Sequence, residues 1–565
     1  MNRKQMPLVR LSVKGYRGFV REDLRDMFTD DFLGDIEAAV VRKGGQTMKD
    51  SRVRWAAIFS GPDGLALFVK KFKVKDWKER LKYLIWPSKA KKEWDVSLAF
   101  RTKGVQIPGP IGLMERRRWG FLEESLYISQ AIDGAQPLID FFKEQFGEED
   151  LKGEGEKRRI VRLLGDTVRR IHEGGLFHAD LHTGNFLIRK SGEGALYLID
   201  LHRARMRKTL SQRQRLWNIA QLFYSLNSLL DQGHKEIFFE AYGGKEMDLS
   251  ISKPLLIRVE GLADWIKRRH QRSRAKRCLR ESTLFTSHRW NGYRLYRSRD
   301  VSVDTLMEMI DAHREIVKNS PSLLLKNSPK TVVSMVEIPG GSGLRICVKQ
   351  YRCVTAWGRI KDCFRYSKGK ISWIAANELF RRGISTLKPL AYVGKTRFGL
   401  LVESFFLMES PADYLEMDRY LIKSFGNGPS GDVTLKKRSF IRQFAQCIGR
   451  LHRSDIFHSD LKTCNILARE RPGGWDFSFI DLDAVHLGTE VNSRRALKNL
   501  VQINCSTPGF LGYADRIRFL KWYLEIHPIP LQKRDLVKAI LEESRKRGIL
   551  YVSPEGDVTE EVFAR

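Results

Sequence analysis

Residues 177–188 read FHADLHTGNFLI, and YLIDLHR follows at 197–203. Asp180 stands five residues before Asn185 in a short, turn-like stretch. An aspartate so placed can orient a hydroxyl and accept its proton. The asparagine can reach a metal or brace the same loop. Asp200 follows the apolar strand LYLI and can hold Mg²⁺ over phosphates. Lys70 ends the apolar strand LALFVKKF and can contact α- and β-phosphates. Phosphoryl transfer needs this short inventory: a positioned nucleotide with Mg²⁺, an oriented hydroxyl and charge compensation.

The inventory occurs twice. FHSDLKTCNILA at 457–468 precedes FSFIDLD at 477–483, so Asp180, Asn185 and Asp200 recur as Asp460, Asn465 and Asp481. Lys70 recurs as Lys349 in LRICVKQY, and His178 as His458. IHEGG matches LHRSD, pairing His172 with His452, and LWNIAQL matches LKNLVQI, pairing Asn218 with Asn499. The offset runs from 279 residues (Lys70 to Lys349) to 281 (Asp200 to Asp481). Such constancy predicts two homologous domains.

The positioning elements follow from local pattern. VRWAAIF, the turn SGPDG and LALFVKKF predict paired strands; TVVSMVEI, PGGSG and LRICVKQY predict the same in the second copy. WDVSLAFRTKG and WIAANELFRRG read as helices ending near glycine. VRLLGDTVRRIHEGG and FIRQFAQCIGRLHRSD read as apolar-striped helices feeding the two motif loops. FGEEDLKGEGEKRR reads as a surface loop, and LMEMIDAHREIVKN as a helix introducing the second domain. Asn218, Asn499, His172 and His452 read as packing and loop-support residues. Gly44-Gly45 is either a phosphate-covering turn or an ordinary one.

Composition bounds the partners. The 565 residues carry 100 Lys and Arg against 67 Asp and Glu, a net charge of +33, which favours an anionic partner. Apolar content of 42% excludes a wholly disordered chain. None of the seven cysteines forms a CxxC or metal-spaced cluster, which points to a reducing compartment. No signal-peptide core or long apolar span is expected. The basic, aromatic stretch 70–92 reads either as a solvated helix or as a contact for an anionic membrane or glycolipid. IKRRHQRSRAKRCLR reads as a charged linker or helix face, or as a contact for phosphates or nucleic acid, and no specific nucleic-acid module is found.

HADLHTGN followed by LID resembles the catalytic and metal loops of the protein-kinase-like superfamily. The ordered set of Lys70, AKKEW, GVQIP, HADLHTGN, LIDLHRAR and LWNIAQL is similar to bacterial lipopolysaccharide kinases, which phosphorylate heptose or Kdo of the inner core. The resemblance covers roughly residues 40–235 and 320–510. It implies an α+β fold of two tandem bilobal kinase-like domains, each with a strand-rich N-lobe and a helical C-lobe. The expected domains are 1–299, catalytic, and 300–565, active or partly degenerate. ATP and Mg²⁺ are the implied cofactors. Asp180 and Asp460 would be catalytic bases; Asn185, Asp200, Asn465 and Asp481 metal residues; Lys70, Lys349 and the helix residue Glu93 would position ATP. His178 and His458 would support their loops. Counting back from Gly383 places Ser372 where Glu93 stands, and Glu378 falls on another helix face. Lys462 replaces His182 and gives HSDLK, a form closer to protein kinases.

The implied partners are a lipopolysaccharide precursor or other anionic glycolipid, an anionic membrane surface, and the other kinase-like domain; nucleic acid is disfavoured. The implied location is cytoplasmic, at the inner face of a bacterial inner membrane. Other readings are a protein or small-molecule kinase and a pseudokinase scaffold, the latter fitting the second copy better.

Overall fold

The computed structural model describes residues 7–100, 103–146, 153–189, 194–226, 229–244, 249–337, 345–352, 365–384, 386–398, 400–411, 413–426, 431–547, 549–552 and 558–561. The chain divides into two compact units, Met1–Ile266 and Lys267–Arg565. The division lies upstream of the expected 299/300 boundary.

Each unit opens with a seven-stranded antiparallel sheet. Edge to edge, the first runs Leu8–Val13, Tyr16–Arg21, Pro110–Arg118, Phe121–Gln130, Ala66–Lys73, Arg54–Ser60 and Gln46–Ser51. The second repeats this order with Phe285–Trp290, Tyr293–Ser298, Pro389–Arg397, Leu400–Glu409, Arg345–Arg352, Thr331–Glu337 and Leu324–Asn327. The expected strand pairs are present, Lys70 facing Ala56 and Lys349 facing Val333 across the register. The PGGSG turn lies outside the described residues. The structure adds an earlier hairpin to each sheet, built on GYR at 15–17 and at 292–294. This hairpin explains why the second sheet begins at Phe285, before residue 300.

Strand periodicity gives the lysines their place. Successive side chains alternate between faces. Leu67 and Val69 point into the core formed with Val20, Phe32 and Ile128. Lys70 and Phe72 therefore face the other way, toward the helix Lys89–Phe100, where Phe72 packs with Ala90, Trp94 and Tyr127. Ser88 caps that helix by accepting from Lys91 N at 3.0 Å, and Ser367 caps its counterpart, Lys368–Arg381.

The remainder of each unit is mostly helical. The helix Glu154–Glu173 buries Ile160, Val161, Leu164, Val168 and Ile171 along one stripe. A Cβ at Gly165 would stand 2.5 Å from the Phe238 carbonyl oxygen, so glycine permits that close helix contact. Gly431–Arg453 is the matching helix of the second unit. The motif loops lie between short strands, Leu176–His178 and Phe186–Arg189 in the first unit, Ile456–His458 and Ile466–Arg471 in the second. Part of FGEEDLKGEGEKRR lies outside the described residues, and its end, from Glu154, is helical.

Candidate active site

In the first unit the strand lysine and helix glutamate meet. Lys70 Nζ lies 2.6 Å from Glu93 Oε1 and 3.0 Å from Asp200 Oδ1. Lys70 and Glu93 are 5% and 2% exposed, so this pair is excluded from bulk water. Burial opposes the lysine charge, but the two carboxylates outweigh it and raise its pKa. Burial likewise opposes charge on Asp200, yet His202, Lys70 and Arg54 hold its carboxyl well below the usual carboxylate range. Asp200 accepts from His202 Nδ1 at 2.8 Å and sits 3.4 Å from Arg54 Nη1. Its backbone is left-handed, with φ of 65°, and Asp481 matches it at 56°. Glu93, Asp200 and His202 offer ligand atoms all within 4.8 Å of one another.

His178 organises the loop. Its Nδ1 accepts from Asp180 N at 3.2 Å, so Nε2 carries the proton and donates to the Asp200 carbonyl at 3.1 Å. Burial lowers its pKa and keeps it neutral. His458 repeats this geometry with Asp460 N and the Ile480 carbonyl. Asn185 donates from Nδ2 to the Asp180 carbonyl at 2.8 Å, and its own backbone carbonyl accepts from Ile199 N at 2.8 Å. The loop and the Asp200 strand are thereby tied side by side. Asp180 Oδ2 accepts from Arg203 at 2.6 Å.

Beneath the loop lies a buried polar strut. Asn218 donates to the His178 carbonyl and accepts from His178 N and His172 Nε2. His172 Nδ1 accepts from Tyr242. Gln221 braces Leu181 N and the Ala179 carbonyl. Asn499, His452, Tyr523 and Gln502 build the same strut in the second unit. Asn218 and Asn499 are fully buried, as loop support requires.

The second unit keeps the loop and changes the lysine's surroundings. Lys349 contacts Asp481 and lies 3.8 Å from Asp483. Ser372 is buried where Glu93 stands, and its hydroxyl is 2.8 Å from Tyr351 OH. Glu378 is also buried but pairs with Arg381 and Arg382, each at 2.7 Å. Asn465 donates to the Asp460 carbonyl at 2.8 Å and to its carboxylate at 3.1 Å. Lys462 lies 3.5 Å from Asp460, taking the role that Arg203 takes in the first unit.

The structure thus gathers Lys70, Glu93 and Asp200 around one point and joins His178, Asp180 and Asn185 to it through the loop. Sequence reasoning missed Arg54, His202, Arg203 and Asp483. All but Arg54 fall within two or three residues of Asp200 or Asp481, the only signal available. Gly44-Gly45 ends the helix Ile36–Arg42 as an ordinary turn, Gly44 having φ of +67°. The hairpin Ser51–Arg54 instead reaches Asp200, through Arg54. Within the basic run 266–280, Lys267 pairs with Asp455, Arg268 with Glu490 and Arg272 with the Gly488 carbonyl.

A tandem pair of kinase-like units, each with a strand lysine in contact with an aspartate, Asp200 or Asp481, is the class that fold and site define. The lipopolysaccharide kinase (Kdo/WaaP) family matches residues 42–242 and 345–523, more than half of the chain. The chain belongs to this family, and its sugar-kinase phosphotransferase function and general use of ATP and Mg²⁺ follow from that membership. A solved structure, "WaaP in complex with acyl carrier protein", is 22% identical over 42% of this chain and 91% of that one, with a TM-score of 0.33. No curated protein matches. No helix among the described residues is long and apolar enough to cross a membrane.

Proposed function

We propose that the first unit transfers the γ-phosphate of ATP to a sugar hydroxyl of the lipopolysaccharide inner core. The observation that carries this reading is the buried Lys70–Glu93 pair at 2.6 Å with Asp200 at 3.0 Å. A lysine held this way presents a fixed charge to the α- and β-phosphates. The donor chemistry fits magnesium, because Asn185 and Asp200 offer hard oxygen ligands. Bound Mg²⁺ supplies neutralisation of phosphate charge. Asp180 orients the acceptor hydroxyl and takes its proton as that oxygen bonds to the γ-phosphorus and the bond to ADP breaks. Arg203 fixes the carboxylate that does so. The second unit is active or partly degenerate by this reading.

Acceptors of this class are anionic glycolipids, and the helix Trp77–Ile85 suits the surface that holds them. Trp77, Leu81, Leu84 and Ile85 are 65%, 46%, 49% and 84% exposed. At helical spacing they share one side, apart from the buried Tyr83. Exposed Lys78, Arg80 and Lys82 flank them, as on a helix lying in an anionic interface. By this reading the enzyme works on the cytoplasmic face of a bacterial inner membrane.

The test is labelled-ATP transfer to a panel of lipopolysaccharide precursors with protein controls. Asp180→Ala, Asp460→Ala and the double variant are compared with wild type. Asp180→Ala is expected to lose about 10²- to 10⁴-fold. Equal transfer by wild type and the double variant would overturn the mechanism. Transfer to protein alone, the alternative that HSDLK favours, would overturn the acceptor. In vesicle sedimentation, Trp77→Ser/Ile85→Ser should reduce binding to anionic vesicles while transfer to a detergent-soluble acceptor persists. Undiminished sedimentation would remove the membrane role from this helix.

A further inference from the structure

Four positions around the lysine differ together between the units. Lys70 and Lys349 occupy the same register position, so Phe72 corresponds to Tyr351 and Arg54 to Thr331. Glu93 corresponds to Ser372, and His202, two residues after Asp200, corresponds to Asp483, two residues after Asp481. In the first unit Phe72 packs against His202, ring centroids 5.7 Å apart. In the second, Tyr351 OH reaches both Ser372 at 2.8 Å and Asp483 at 3.5 Å.

The lost carboxylate has reappeared on another element. A lysine as buried as Lys349, 7% exposed, requires anionic partners. Ser372 supplies none, and Glu378 is committed to Arg381 and Arg382. Asp481 and Asp483 flank Lys349 instead, and Lys368 sits 2.9 Å from the second Asp483 oxygen. The charge balance is the same in both units. Lys70 and Arg54 face Glu93 and Asp200; Lys349 and Lys368 face Asp481 and Asp483. Tyr351 fills the space that the shorter Ser372 leaves. Without Asp483, loss of the helix glutamate would leave buried Lys349 with the single carboxylate of Asp481, so the two changes compensate each other.

We propose that Asp483 replaces the helix glutamate as the positioning residue of Lys349, so that the second unit holds the phosphates of a nucleotide of its own. The proposal rests on the nucleotide-site reading of the first unit. It moves the anchor from a separate helix to the segment bearing the metal-loop aspartate, so lysine and metal aspartate are organised by one stretch of chain.

Equilibrium dialysis of the full chain with labelled ATP and Mg²⁺ tests this. Wild type should bind two nucleotides, and Lys70→Met/Asp200→Ala should bind one. In that background Lys349→Met should abolish the remaining site, and Asp483→Asn should weaken it about tenfold. In the same background, Tyr351→Phe, Ser372→Glu and Asp483→His made together return the second carboxylate to the helix and should hold affinity above that of Asp483→Asn, a rescue that a merely structural Asp483 would not give. If Asp483→Asn lowers the melting temperature sharply, the triple exchange becomes the deciding measurement. Unchanged affinity in Asp483→Asn, or no rescue by the exchange, overturns the anchor. One nucleotide per wild-type chain, lost with Lys70→Met/Asp200→Ala, overturns the second site and leaves the first intact. No nucleotide on wild type overturns the proposed function itself.

Discussion

At the residue scale, the first site depends on one buried ion pair. Breaking such a pair leaves an uncompensated charge, which costs about 3–5 kcal/mol in buried settings. Glu93→Gln removes one of the two carboxylates on Lys70 while keeping the shape. It should raise the KM for ATP and lower kcat, with less effect on the KM for the acceptor. Steady-state kinetics with each substrate varied in turn separates these; an effect on the acceptor alone would contradict the assignment. Asp180, Asn185 and Asp200 were legible in the sequence because a short loop and the strand after it fix their spacing. Arg203 and His202 were not, since a turn aims their side chains and spacing does not report aim. Ser372 was legible by counting back from Gly383, but Asp483 was not recognisable as a partner of Lys349. That contact joins residues 132 or more positions apart through a sheet.

At the element scale, the loop is held from below by the helix Gln212–Leu226. Asn218 satisfies the backbone N–H and C=O of His178 and also engages His172. Asn218→Ala leaves those buried groups without partners and should destabilise the first unit by about 1–3 kcal/mol. Denaturant titration measures this, and Asn499→Ala should do the same in the second unit. A change within about 0.5 kcal/mol would show that the strut is dispensable. The strands bearing Lys70 and Lys349 were legible from their apolar alternation. The earlier hairpins were not, because Leu8–Val13 and Phe285–Trp290 are edge strands with no buried residue. The repeated GYR was the available sign. The stretch 70–92 was legible as basic and aromatic, but only the fold reveals that Tyr83 faces inward and Trp77, Leu81, Leu84 and Ile85 outward.

At the scale of the whole molecule, acid should destabilise the fold through two equivalent buried imidazoles. Burial pushes His172 and His452 down to about 3, below their ordinary value of about 6.5. Above about pH 6.5 both folded and unfolded chains hold them neutral. Below it the unfolded chain takes up protons that the folded chain refuses. Stability therefore falls as pH drops from about 6.5 toward 3, by up to about 1.4 kcal/mol per pH unit for each imidazole. Urea titrations across this range check the sign, and His172→Asn/His452→Asn should flatten the slope. The net charge of +33 predicts that binding to anionic vesicles weakens as salt rises from about 50 to about 500 mM, because screening shortens the reach of surface charge. Sedimentation at the two salt concentrations measures it. The sequence by itself determined the tandem repeat, the kinase-like chemistry and the residues of both motif loops, because these depend on residue type at fixed local spacing. Only the tertiary structure decided which carboxylate faces each lysine, since that contact depends on how strand, helix and loop pack. Glu93 reaches Lys70 from a helix, whereas Asp483 reaches Lys349 from the segment after Asp481.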